Sequence, residues 1–143
     1  MKMHDLKLPG GVEAHFFDTP DDAAISLANA AATHIAERLL IAPRVSLVVS
    51  GGSTPLPFFK ALREKTLDWT RVDVLLADER WVPENHEDSN TRLVKETLLQ
   101  GPAAEANYLS LKQPGDSPAD GLSDVEAALA ELHLPLDLLV LGM

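Results

Sequence analysis

A chain of 143 residues, 45% hydrophobic and 24% charged, suits one globular domain with its own core. Its formal net charge of -10 argues against nucleic acid or an anionic membrane as partner, and any anionic ligand must be met by local positive charge. The absence of cysteine excludes disulfides, thiolate chemistry and zinc sites built on sulfur; with no membrane-length apolar run and no hydrophobic signal core in MKMHDLKLPG, the expected location is cytoplasmic.

Val12 to Asp18 reads as a short strand. Thr19, Pro20, Asp21 and Asp22 follow as an N-cap, a first-turn proline and two acids favoured by the helix dipole. They open a helix over roughly Asp21–Ile41, with Ile25, Ala28, Ala32, Ile35 and Leu39 on one face and Pro43 closing it. Val45–Val49 (VSLVV) is apolar and β-branched, the pattern of a strand buried on both faces of a parallel sheet. It stops at Ser50-Gly51-Gly52-Ser53-Thr54-Pro55. Two glycines permit a sharp turn and close approach of a ligand to the backbone. Thr54 as N-cap and Pro55 at the first helical position start a helix through Phe58, Phe59 and Leu62.

Val72–Ala77 (VDVLLA) is the next buried strand and ends in Asp78-Glu79-Arg80-Trp81-Val82-Pro83. After the polar loop Glu84–Asp88, Ser89 caps a helix carrying Leu93, Val94, Leu98 and Leu99, which Gly101-Pro102 terminates. Asn107–Leu111 is a weak strand, Gln113–Asp120 a surface loop, and Leu122–Leu132 a helix. Leu136–Leu141 (LDLLVL) is a further buried strand before Gly142-Met143.

Strands alternating with helices imply right-handed βαβ units, hence an α/β, Rossmann-like three-layer fold with a mainly parallel sheet, in one domain over residues 1–143. Ligands in such sheets bind beyond the carboxyl ends of the strands. There, a Gly-rich turn before a helix gathers free N–H groups around an anion, which makes Gly51, Gly52, Ser53 and Thr54 phosphate-binding candidates. An ordinary βα turn carries the same signals, and neither the lysine of a P-loop nor the glycine spacing of a dinucleotide site is present. Arg80 offers a guanidinium fork suited to phosphate; its competing reading is a surface pair with Asp78 or Glu79.

Asp78, at a strand's carboxyl end, reads either as a ligand-facing carboxylate or as a cap of the following turn. Glu79 points to the other face and reads as structural. Trp81 reads as loop packing, Asn90 as a helix-start residue and Arg92 as a surface arginine, although its place in the first turn opposes the dipole. His4, His15, His34, His86 and His133 read as incidental. No ligand spacing for a metal is found, and no cofactor is expected.

SGGSTP at Ser50–Pro55, ADERWVP at Ala77–Pro83, Ser89-Asn90 at a helix head and LDLLVLGM at Leu136–Met143 occur in one order and spacing. Together they resemble the 6-phosphogluconolactonase family, sugar-lactone hydrolases of the pentose phosphate pathway. The wider superfamily includes glucosamine-6-phosphate deaminases. The resemblance implies hydrolysis of 6-phospho-D-glucono-1,5-lactone, with Gly51, Gly52, Ser53, Thr54 and Arg80 on the phosphate and Asp78 orienting. In the family, LGM runs into a segment containing Asp-Gly-His, whose histidine is the implied general base. This chain stops before it, so the expectation is an N-terminal part, incomplete at the C-terminus, inactive alone and prone to self-association through its unfinished sheet. Two other readings stay open: a deaminase-like isomerase, and a non-catalytic sugar-phosphate-binding module if the chain naturally ends at Met143.

Overall fold

Two strands in which every residue is buried, Val45–Val49 (β1) and Val72–Leu76 (β2), form the centre of the computed structural model. The structure describes residues 14–52, 55–79, 82–110 and 138–140. β1 pairs in parallel with β2 in the register Val45↔Val72 to Val49↔Leu76. Asn107–Leu109 (β3) lies beyond β2, and Leu138–Val140 (β4) lies on the other side of β1, both parallel. The order is therefore β3-β2-β1-β4. The chain builds outward from β1 through β2 to β3, then returns to the opposite edge. That reversal falls between β1 and β4, the kind of position where a doubly wound sheet opens a ligand crevice.

Alternate residues of the central strands serve different faces. Val45, Leu47, Val49, Val74 and Leu76 join the main core with three helices, α1 (Pro20–Leu39), α2 (Leu56–Leu62) and α3 (Asn90–Thr97). Val48 and Leu75 pack together with Leu109 in a separate cluster. This is the α/β, parallel, Rossmann-like arrangement that the sequence pattern predicts. Trp69, in a 3-10 turn ahead of β2, fills the core and donates its indole N–H to the Lys65 carbonyl at 3.0 Å.

α1 begins as its capping residues require: the Thr19 hydroxyl accepts from the Asp22 N–H at 3.1 Å. At its other end Arg71 donates to the carbonyls of Leu39, Ala42 and Pro43 at 2.7–2.8 Å, a cation placed on the negative end of the dipole. Under the sheet, Arg44 grips the buried carboxylate of Asp73, with Nη2–Oδ1 at 2.7 Å, and the Asn107 amide joins at 2.9 Å. That cluster ties β1, β2 and β3 together at the end away from the site.

Four expectations need correction. Ala14–Phe17 forms no strand, and Phe16 and Phe17 are exposed. Ile25 does not share the buried face of α1; it is 52% exposed, while Ala28, Ala31 and Ile35 carry the contact. Ile25 sits toward the strand ends, where it lines a shallow hollow with Leu56, Pro57 and Lys60. Pro55 is the residue before α2, not its first residue, although its carbonyl already accepts from the Phe59 N–H at 2.9 Å. β3 stops at Leu109, short of the Leu111 limit. The loop at 113–120 and the helix at 122–132 lie outside the described residues, as do both ends of the Leu136–Leu141 strand around β4.

Candidate functional site at the carboxyl ends of the strands

β1 leaves the sheet through Ser50, whose N–H still donates to the Val140 carbonyl of β4 at 3.1 Å, and enters the turn at Gly51-Gly52. The two glycines answer different requirements. Gly52 has φ +88°, in the left-handed region that side-chain-bearing residues rarely adopt, and an added Cβ would meet nothing within 4 Å. Gly51 needs no such angle. An added Cβ there would lie 2.2 Å from Cγ and 2.3 Å from Oδ1 of Asn90. The first glycine makes room for a neighbouring side chain, and the second turns the backbone.

The chain leaving β2 passes beside this turn at Asp78 and Glu79, and the first residues of α3 fasten it there. The Glu79 carboxylate accepts from the Ser89 hydroxyl at 3.1 Å, the Asn90 N–H at 2.7 Å and the Thr91 N–H at 2.8 Å. The Ser89 hydroxyl accepts from the Arg92 N–H at 3.2 Å, completing the cap. An internal carboxylate thus occupies the positive end of the α3 dipole. The Asn90 side chain donates to the Asp78 carbonyl at 3.3 Å. Thr91 Oγ1 lies 2.8 Å from the Tyr108 hydroxyl of β3. Residues 89–91 therefore join β1, β2 and β3 at one end of the sheet. Burial pushes the Tyr108 hydroxyl up to about 12; Glu79 and Glu84 push the same way against the Thr91 hydrogen bond.

Of the sequence candidates, Gly51, Gly52 and Asp78 come together at adjacent strand ends. The Asp78 side chain is exposed and, among the described residues, makes no ion pair or hydrogen bond. Ser53, Thr54, Arg80 and Trp81 lie outside the described residues. Glu79 holds α3, and Asn90 is the first residue of that helix. What sequence reasoning missed is the side-chain role of Asn90. The one signal was the first glycine of a pair in which a single glycine suffices for the turn.

Arg92 and Lys95 line a hollow of about 440 Å³ beside α3 with Glu84, Asn85 and Glu96, but both cations are paired. Lys95 Nζ is 2.6 Å from Glu84; Arg92 Nε is 3.1 Å from Glu96, and its Nη1 donates to the Asn85 carbonyl at 2.9 Å. His86 accepts from the Asp88 N–H through Nδ1 at 3.0 Å within its own loop. Among the described residues no group of three His, Cys, Asp or Glu side chains is placed to hold a metal ion. No helix among them is long and apolar enough to cross a membrane.

A parallel sheet of this order, with a glycine turn at the reversal point and acidic residues at the next strand end, defines a Rossmann-like α/β architecture with known counterparts. The crystal structure of a 6-phosphogluconolactonase from Shewanella baltica superposes with a TM-score of 0.86 at 42% identity, over 89% of this chain and 55% of that one. The 6-phosphogluconolactonase of Pseudomonas aeruginosa is 45% identical over 143 residues, and that of Pseudomonas putida 38%. The chain spans 60% and 59% of the lengths of these two relatives. A family model for glucosamine-6-phosphate isomerases/6-phosphogluconolactonase matches residues 18–143. The chain belongs to the glucosamine-6-phosphate isomerase/6-phosphogluconolactonase family.

Proposed function

We propose that this protein hydrolyses 6-phospho-D-glucono-1,5-lactone to 6-phosphogluconate, and that residues 1–143 supply the phosphate-holding side of the site. The observation that carries this reading is the Gly51-Gly52 turn beside the exposed Asp78 carboxylate, at the reversal of the strand order. The names of the relatives at 38–45% identity support the reaction. In hydrolysis the oxygen of water bonds to the lactone carbonyl carbon, the ring C–O bond breaks, and the ring oxygen leaves as a hydroxyl. The reaction needs an activated water, a stabilised oxyanion and a firm hold on the distant phosphate.

Gly51, Gly52, Ser53 and Thr54 hold the phosphate through N–H groups and hydroxyls, and Arg80 closes on it with paired N–H donors. Asp78, free of partners among the described residues, orients the sugar hydroxyls or the base. The family resemblance implies a histidine of an Asp-Gly-His segment as the proton acceptor. The reading places the enzyme in the cytoplasm, with no cofactor. The test is to express the protein from its complete reading frame and compare two substrates. Formation of 6-phosphogluconate above the spontaneous rate is expected. Release of ammonia from glucosamine 6-phosphate, with no acceleration of lactone opening, overturns it in favour of the deaminase-like reading; inactivity toward both leaves a binding module.

A further inference from the structure

Asn90 touches both halves of the candidate site. Its side chain fills the space where Gly51 lacks a Cβ, and its amide donates to the Asp78 carbonyl at 3.3 Å. It is 7% exposed, and its backbone N–H is held by the Glu79 carboxylate at 2.7 Å. The residue is thus fixed from behind by the β2 end and by the first turn of α3, and it presses forward on the β1 turn. We propose that Asn90 is a positioning residue: it sets the distance between the Gly51-Gly52 turn and Asp78, and so the separation between the phosphate and the carbonyl carbon of a bound lactone. The inference rests on the lactonase reading above.

Two physical arguments support a positioning role over packing alone. The contact with Gly51 is side chain against bare backbone, so the side chain at position 90 bears directly on the turn. The bond to Asp78 is made to its backbone carbonyl, which leaves its carboxylate available for substrate while fixing where that carboxylate starts. Each contact governs a different half of the site, so the two should separate in kinetics. Leucine branches at Cγ as asparagine does, with the same number of side-chain heavy atoms, and lacks the donor. Asn90→Leu keeps side-chain bulk against Gly51 and loses the bond to Asp78.

In the protein expressed from its complete reading frame, Asn90→Leu is expected to lower kcat at least tenfold with KM for the lactone within threefold of the unsubstituted value. Gly51→Ala is expected to raise KM at least tenfold, because its Cβ displaces the turn. Adding Asn90→Ala to Gly51→Ala removes the opposing side chain and should recover KM by threefold or more, the signature of direct contact. Where Asn90→Leu does not fold, Asn90→Ala removes the same donor and should show the same fall in kcat. A folded Asn90→Leu with unchanged kinetics, or a Gly51→Ala defect indifferent to Asn90→Ala, overturns the inference while the lactonase reading stands. An unsubstituted protein without lactonase activity overturns that reading first and this inference with it.

Discussion

The Gly-Gly pair separates two costs that a sequence motif merges. At Gly52, φ +88° makes any side chain strained, and the open space around it means that the penalty is backbone alone. Gly52→Val is therefore expected to cost about 1–2 kcal/mol of stability, read as a lowered Tm. Under the proposed function it should also raise KM strongly by keeping phosphate from the backbone; unchanged kinetics in a folded variant would remove this turn from the proposed phosphate site. Glu79 and Arg80 are adjacent in sequence with opposite expected signatures. Glu79→Ala leaves the Ser89, Asn90 and Thr91 donors without their acceptor, and should lower stability by about 2–3 kcal/mol. Arg80→Ala should leave Tm nearly unchanged and lower kcat/KM substantially, and Arg80→Lys should restore it only in part, because the fork is lost. Greater damage to activity from Glu79→Ala, with folding intact, contradicts this division of roles.

Secondary-structure elements were legible in the sequence wherever one strong pattern acted locally. Val45–Val49 and Val72–Leu76 could be read from apolar β-branched runs, and α1 and α3 from Thr19 and Ser89. Legibility failed where the partner was distant. Glu79 caps a helix that starts eleven residues later, and no local pattern announces such a cap. Ile25 fits the helical period, yet it lies where α1 faces a hollow rather than the core. The tie between α3 and β3 is also non-local, and it titrates. Tyr108 has its pKa raised to about 12 from an ordinary value near 10, so the folded state holds this proton more tightly than the unfolded chain. Its contribution to stability is complete below about pH 10 and is lost as pH rises to about 12. Denaturant midpoints measured from pH 8 to 12 should fall across that window, and Tyr108→Phe should flatten this part of the fall. An identical profile in the variant contradicts the assignment.

At the scale of the molecule, the sheet has a structural end and a working end. Arg44, Asp73 and Asn107 lock three strands below, while residues 89–91 lock the same three above, around Gly51 and Asp78. A frame braced at both ends can hold a glycine turn and an exposed carboxylate at fixed separation, although the net charge of -10 would repel the anionic lactone of the proposed reaction. The account therefore stands on whether phosphate recognition resides at this working end. The most direct measurement compares kcat/KM for 6-phosphogluconolactone and unphosphorylated gluconolactone, in the enzyme from the complete reading frame and in its Arg80→Ala variant. Charge-assisted hydrogen bonds of about 1.5–3 kcal/mol each predict a preference for the phosphorylated lactone of at least roughly a hundredfold, largely lost in Arg80→Ala. An unaltered preference in the variant, or none in the unsubstituted enzyme, contradicts the account.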